Sequence, residues 1–166
     1  EKGFRRAAHF YPFRLPGGEK AVREPRRSAF SALWETFGHL NGRPAALLPR
    51  MKFTANEKAT MEKMLEKNIN SPLTTSAGRL FDAVASLCDV RQKMTFEGQA
   101  AMELEHEITK NDDGLPYPFE WKKPENDGGC HVIDWRPMIR QMAEDLLKDI
   151  PAGILSARFH ETLVEI

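Results

Sequence analysis

Apolar positions recur at helical spacing through most of the chain. Ala29, Leu33 and Phe37 stand four residues apart, with Phe30 and Trp34 beside them. This predicts a helix from about Lys20 to Phe37 that closes at Gly38 and turns at Asn41-Gly42. Pro25 falls inside that span and lacks a backbone donor, so the helix either restarts there or kinks. A second helix is predicted over residues 53–70, opened by a capping box of Thr54 and Glu57. Its apolar face is Met61, Met64, Leu65 and Ile69, and Asn68 to Pro72 break it. Residues 71–90 contain a third, in which Leu80, Val84 and Leu87 form a stripe flanked by Phe81 and Cys88, with Thr75 or Ser76 as cap. The fourth, over 95–112, shares Ala101, Leu104 and Ile108 on one face, with Thr95 as cap. Asp134 is the expected cap of a fifth, whose face is Trp135, Ile139, Met142 and Leu146. Pro151 starts a sixth, with Leu155, Phe159, Leu163 and Ile166 on one side.

Alternation with period two is scarcer. Phe4 to Phe13 is aromatic-rich and alternates loosely, which predicts a strand with Pro12 marking an edge or an exit. Tyr117–Lys122 and Cys130–Ile133 predict a hairpin across a loop of Pro, Asn, Asp and Gly. The chain is therefore expected to be mainly α with a few short strands, an α+β class. Its 166 residues suit one domain or one lobe of a larger one. The last apolar stripe runs to Ile166 with no glycine or asparagine stop, and the first strand begins almost at once. Residues 1–166 are thus expected to be a single fragment, truncated at both ends.

Composition narrows the function. Twenty-four basic residues balance 24 acidic ones, which argues against a dedicated nucleic-acid binder. No apolar run has membrane-spanning length and no signal-peptide pattern opens the chain, so a soluble, cytoplasmic protein without membrane contact is expected. Residues 1–50 carry ten Lys/Arg against four Asp/Glu, a net of +6, and the remainder carries −6. That basic excess either faces phosphates or faces the acidic part of the same fold. Cys88 and Cys130 have no zinc spacing, and the five histidines are scattered, so no metal site is expected from this chain alone.

Three short stretches carry candidate chemistry, each open to two interpretations. Pro16-Gly17-Gly18-Glu19 is either a turn that lets a ligand approach the backbone and a helix N-terminus, or a plain strand-to-helix turn. Gly78, Arg79 and Asp82 lie near a helix start. They read either as a small residue under a ligand with Arg79 as a donor, or as an exposed ion pair. Glu97-Gly98 places a glycine in a first helical turn, at a cost of about 1 kcal/mol against alanine. Close packing or ligand approach would each explain it. Glu103 and Glu107 share a face that suits a hard cation or a solvated acidic surface. No complete catalytic set appears.

Read together, "LPGGEKAVREPRRSA", "SPLTTSAGRLFDAVASL", "TFEGQAAMELE" and the run from Trp135 to Ile166 resemble, in this order, the hydrogenase maturation carbamoyltransferases, the HypF family. The resemblance covers nearly the whole chain. It implies the helical part of an actin/hexokinase-like lobe, similar to the tRNA threonylcarbamoyl-transferring ATPases. It also implies a multidomain cytoplasmic protein that makes carbamoyl-adenylate from carbamoyl phosphate and ATP. The carbamoyl group then passes to the C-terminal cysteine of a HypE-type acceptor. On that resemblance Gly17 and Gly18 would lie under the nucleoside, with Glu19, where the family more often has Asp, near the ribose. Arg23, Gly78, Arg79, Asp82 and Glu97 would complete this wall of an ATP or carbamoyl-adenylate site. Phe96 stands where the family usually has Tyr, one hydroxyl fewer. The catalytic residues are not identified, and the metal ion would be held by residues outside this chain. The partners implied are the acceptor protein and the rest of its own polypeptide, and surfaces bared by truncation offer a route to dimerisation. A self-sufficient helical binding module without catalysis is the alternative.

Overall fold

A computed structural model describes residues 6–108, 115–124 and 129–166. Among the described residues helices dominate, with five short strands, so the fold is mainly α with a minor β component. The strands form two small sheets. Strand β1 (Ala8–Phe10) pairs in parallel with β5 (His131–Asp134), which pairs antiparallel with β4 (Glu120–Lys122). Strand β2 (Phe13–Arg14) pairs antiparallel with β3 (Leu73–Thr74). Phe4 and Arg5 of the strand expected over Phe4–Phe13 lie outside the described residues, and the described part of that span is in fact two strands. Neither Tyr11 nor Pro12 is in a strand, and the segments on either side join different sheets. Pro12 has no N–H to extend a ladder, which accounts for the break. The hairpin expectation holds, although β4 is shorter than the span that alternates.

The long helix expected from Lys20 is also two, and the break falls at the proline. Helix α1 (Glu19–Arg23) ends at Glu24, and α2 (Pro25–Phe37) restarts with Pro25 in its first turn, where a missing N–H costs nothing. A 3-10 helix over Arg43–Met51 follows, which the aperiodic run with Pro44 and Pro49 did not foreshadow. Helix α3 (Ala55–Glu66) opens with the expected capping box of Thr54 and Glu57. Ser76 caps α4 (Ala77–Leu87) by accepting from the Arg79 N–H.

Helix α5 (Gln99–His106) starts later than expected. Thr95 does not cap it; the Thr95 N–H and hydroxyl both reach the Gln99 side-chain oxygen. Gly98 is therefore the residue before the helix, at φ +78°, rather than a member of its first turn. Asp134 acts one step outside α6 (Arg136–Leu146), where its Oδ1 accepts from the Arg136 N–H at 3.1 Å. Helix α7 (Ala152–Glu165) follows Pro151 as expected.

The core is one continuous cluster. Helix α2 is its axis: every residue from Pro25 to Leu33 is buried, and its most extensive packing is against α4. Trp135 is fully buried, edge-on to Phe13 at 5.4 Å, and its indole N–H donates to the Tyr11 carbonyl at 2.7 Å. Phe159 of α7 meets Phe81 of α4 edge-on at 4.9 Å. Two expected face positions are exposed instead, Ile69 and Ile108. Each lies beyond the end of its helix, where the helical stripe no longer points at the core. No helix among the described residues is long and apolar enough to cross a membrane.

Candidate nucleotide-facing site

The glycine turn that precedes α1 is stitched into its own fold. Gly17 has φ +95° and Gly18 φ +54°, conformations that favour glycine. The Gly17 N–H donates to the Asn70 carbonyl at 2.8 Å, and the Gly18 N–H to the Leu15 carbonyl at 2.9 Å. Neither amide is left for a phosphate. What the turn offers a ligand is a face without side chains, at the start of α1, with Glu19 exposed in the first turn.

A knot of charge lies beneath the turn. Arg26, Arg27 and Glu24 are all buried. Arg27 Nε donates to Glu24 Oε2 at 2.7 Å, and Arg27 Nη1 donates to the Pro16 carbonyl at 3.1 Å. Arg26 Nη2 bridges Glu24 and Glu57, at 3.2 and 2.8 Å. Burial works against the charge on Glu24, but the hydrogen bond from Arg27 and the two guanidinium charges outweigh it and hold the carboxyl below the usual range. Glu57 is held at about 2, first by the Thr54 backbone N–H and then by Arg26. Pattern reasoning missed this knot, because arginines on a helix read as a solvated face.

Arg79 and Asp82 pair as their i, i+3 spacing implies, but the pair is not an exposed one. Arg79 Nη1 lies 2.9 Å from Asp82 Oδ2, and the Asp82 side chain is only 2% exposed. The same nitrogen donates to the Val22 carbonyl at 3.1 Å, which ties the start of α4 to the end of α1. The contact to Asp82 is close but poorly aligned, so Oδ2 has charge pairing without a hydrogen-bond donor. Desolvation therefore wins over the Arg79 charge and pushes Asp82 up to about 6. Gly78 is exposed in the first turn of α4. A Cβ there would meet nothing closer than Ser76 Oγ at 3.6 Å. The chain's own packing gives no reason for a glycine at that position.

The loop before α5 closes the arrangement. The Met94 N–H donates to the Arg23 carbonyl at 2.8 Å. A groove of about 540 Å³ opens between them, lined by Val22, Arg23, Met94, Thr95, Phe96 and Glu97. Arg23 and Glu97 are exposed, and neither side chain has a hydrogen-bond or ion-pair partner among the described residues. Phe96 lines the same groove and is 54% exposed. The structure thus brings Arg23 and Glu97 to one groove, with Arg79 and Asp82 bracing its α1 side. Gly17, Gly18 and Glu19 stand at the other end of α1 and Gly78 at the start of α4, outside the groove lining. Val22, Met94 and Thr95 are the lining residues that motif reasoning did not select. Their only sequence signal is adjacency to Arg23 and Phe96.

A second cavity, about 640 Å³, lies between the hairpin and helices α2 and α6. It holds none of the motif residues, and its central charges already satisfy one another. Asp134 pairs with both Arg136 and Lys122, whose hydrogen bonds overcome its burial and bring it down to about 2. Of the two carboxylates expected to share a face, Glu103 is engaged, taking two hydrogen bonds from Arg91 and one from Gln99, while Glu107 lies exposed just past the end of α5. Among the described residues, no three His, Cys, Asp or Glu side chains gather as a metal ion would require.

Comparison with known proteins agrees with the motif order. Residues 1–166 match the family model for the carbamoyltransferase Kae1-like domain, second subdomain. The chain is 33% identical over 176 residues to the carbamoyltransferase HypF of Synechocystis sp., covering 98% of this chain and 22% of that protein. A HypF carbamoyltransferase of Cupriavidus necator is 43% identical over 184 residues, covering 96% and 21%. The crystal structure of full-length HypF in the phosphate- and nucleotide-bound form superposes with a TM-score of 0.83. It is 32% identical, over 99% of this chain and 20% of that one. The HypF of T. kodakarensis superposes with a TM-score of 0.72 at 26% identity, over 96% and 21%. The chain spans about a fifth of the length of these relatives. It therefore belongs to the HypF carbamoyltransferase family, within the second subdomain of the Kae1-like domain.

Proposed function

We propose that this chain forms one wall of the nucleotide cleft of a cytoplasmic carbamoyltransferase of [NiFe]-hydrogenase maturation. The observation that carries this reading is the pair of unpartnered opposite charges, Arg23 and Glu97, in one groove beside a half-exposed aromatic ring. A groove of about 540 Å³ is of the size that holds a small ligand. The residues fit a nucleoside better than its phosphates. Phe96 gives a stacking face, and Glu97 accepts hydrogen bonds from hydroxyls. Glycine faces at Gly17, Gly18 and Gly78 let a flat group approach the backbone. The amides of the glycine turn are spent internally, so phosphate and metal contacts fall to other parts of the protein.

In the reaction so read, water releases phosphate from carbamoyl phosphate, a carbamate oxygen bonds to the α-phosphorus of ATP, and the bond to pyrophosphate breaks, so that carbamoyl-adenylate, phosphate and pyrophosphate are the products. The thiolate of a C-terminal cysteine on a HypE-type acceptor attacks the carbamoyl carbon. A C–S bond forms, the C–O bond to the adenylate phosphate breaks, and AMP leaves with the electron pair. This wall supplies orientation. Alone, the chain binds ATP weakly and does not turn over, because affinity draws on both sides of the cleft. Tight binding of ATP to the isolated chain in calorimetry would contradict that.

The test uses Glu97→Gln in the full-length protein. Glu97 is exposed, and its side chain makes no hydrogen bond or ion pair among the described residues, so the variant should melt as the parent does. Carbamoyl transfer to the acceptor should need at least fivefold more ATP for half-maximal rate. An unchanged ATP dependence would exclude the groove as part of the site.

A further inference from the structure

The glycine turn is held by a side chain that is not among the candidate site residues named above. Arg27 is buried under Pro16 and Gly17, with its guanidinium donating both to the Pro16 carbonyl and to Glu24. The fit is close: a Cβ on Gly17 would lie 2.8 Å from Arg27 Nη1. On the opposite side the turn hangs from the segment after α3, through Gly17 N–H to the Asn70 carbonyl and Leu15 N–H to the Pro72 carbonyl, both at 2.8 Å. Helix α3 is tied to the same knot, because Glu57 accepts from Arg26, which also donates to Glu24. The turn is therefore clamped between a guanidinium below and the backbone of residues 70–72 beside it.

We infer that Arg27 is a positioning residue for nucleotide binding: it touches no ligand, and it sets the height and tilt of the Pro16–Gly18 turn against which the nucleoside rests. This inference rests on the nucleotide-cleft reading above. Its physical basis is that a planar guanidinium with two fixed donor directions specifies an orientation, where a point charge specifies only proximity. Glutamine keeps a donor for the Pro16 carbonyl but gives up the charge that Glu24 needs. Lysine keeps the charge but cannot hold both acceptors in one plane.

The experiment compares Arg27→Gln, Arg27→Lys and Glu97→Gln with the parent in the full-length protein. It reads two quantities: ATP dependence of carbamoyl transfer, and hydrogen exchange at the Gly17 and Gly18 amides. Arg27→Gln should raise the ATP concentration for half-maximal transfer at least tenfold, leave the maximal rate within about twofold, and speed exchange at both amides at least tenfold. Arg27→Lys should fall between Arg27→Gln and the parent in both readouts, and it carries the test alone if Arg27→Gln does not fold. Parent-like ATP dependence in the Arg27 variant, whatever the exchange rates, overturns the inference. So does an altered ATP dependence with unchanged exchange, since Arg27 would then act by another route. If Glu97→Gln is impaired while Arg27→Gln is not, only this inference falls. If neither is impaired, the cleft reading falls with it.

Discussion

One nitrogen of Arg79 stands between two partners: Asp82 Oδ2 at 2.9 Å on its own helix and the Val22 carbonyl at 3.1 Å on another. It is a cross-brace with a buried carboxylate at its foot. Replacing Arg79 by alanine removes the tie to α1 and leaves Asp82 without its counter-charge. We expect Arg79→Ala to lower carbamoyl transfer in the full-length protein while the fold persists. Stability at pH 7 should drop by roughly 1–3 kcal/mol, the range for stranding a buried polar partner. The deficit should narrow toward pH 4, where Asp82 is protonated. Denaturant titrations at both pH values check this, and a deficit independent of pH would mean that Asp82 does not feel Arg79.

Asp82 itself gives a pH prediction with a definite sign. Its folded pKa is about 6 against an ordinary 3.8. As pH rises from 3.8, the unfolded chain releases this proton while the folded chain keeps it until about 6. Unfolding is thereby favoured, and the penalty is complete above that value. The Asp82→Asn variant lacks the penalty. Its stability relative to the parent should therefore improve between pH 3 and pH 7 by something on the order of 3 kcal/mol. Parallel stability curves for the two proteins would refute the raised pKa.

Two glycines should answer oppositely to alanine. Gly17→Ala places a Cβ 2.8 Å from Arg27 Nη1 at φ +95°, so a loss of about 1–3 kcal/mol is expected. Gly78→Ala sits in a helical turn where the new Cβ would make only an ordinary contact, 3.6 Å to Ser76 Oγ, so a gain of roughly 0.5–1 kcal/mol is expected. If Gly78 lies against the nucleoside, the stabilised variant should also need more ATP for half-maximal transfer. Thermal melts with transfer kinetics separate the two effects, and a stabilised, fully active Gly78→Ala would remove Gly78 from the site.

Trp135→Phe tests the joint between the small sheet and the helical core. The change deletes the indole donor to the Tyr11 carbonyl and leaves a void beside Phe13. A loss of about 2–4 kcal/mol is expected, from a stranded acceptor plus a cavity. It should appear as a lower denaturation midpoint at unchanged slope.

Features set by near neighbours were readable in the chain; features set by distant ones were not. The Thr54–Glu57 box, the restart at Pro25 and the Arg79–Asp82 pair depend on residues three or four apart or on one missing N–H, and all three are in the structure. The parallel pairing of β1 with β5, the 3-10 helix at Arg43–Met51 and the burial of Arg26 and Arg27 depend on partners far along the chain, and periodicity carries no trace of them. Thr95 is not a cap because α5 begins only at Gln99, four residues further on, and the Thr95 N–H and hydroxyl reach the Gln99 side chain instead, a start position that residue type alone does not decide. At the site, motif order selected Arg23 and Glu97. Only the fold showed that they meet at one groove and that the glycine turn rests on Arg27.

The contact between Trp135 and Tyr11 joins positions 124 residues apart in the chain. Among the described strands, β1 pairs only with β5, so during synthesis it has no mate until residues 131–134 have left the ribosome. Closing so large a loop is slow. Sheet assembly should therefore be the late step in maturation of this domain, and an exposed β1 edge is where chaperone capture or misassembly would begin.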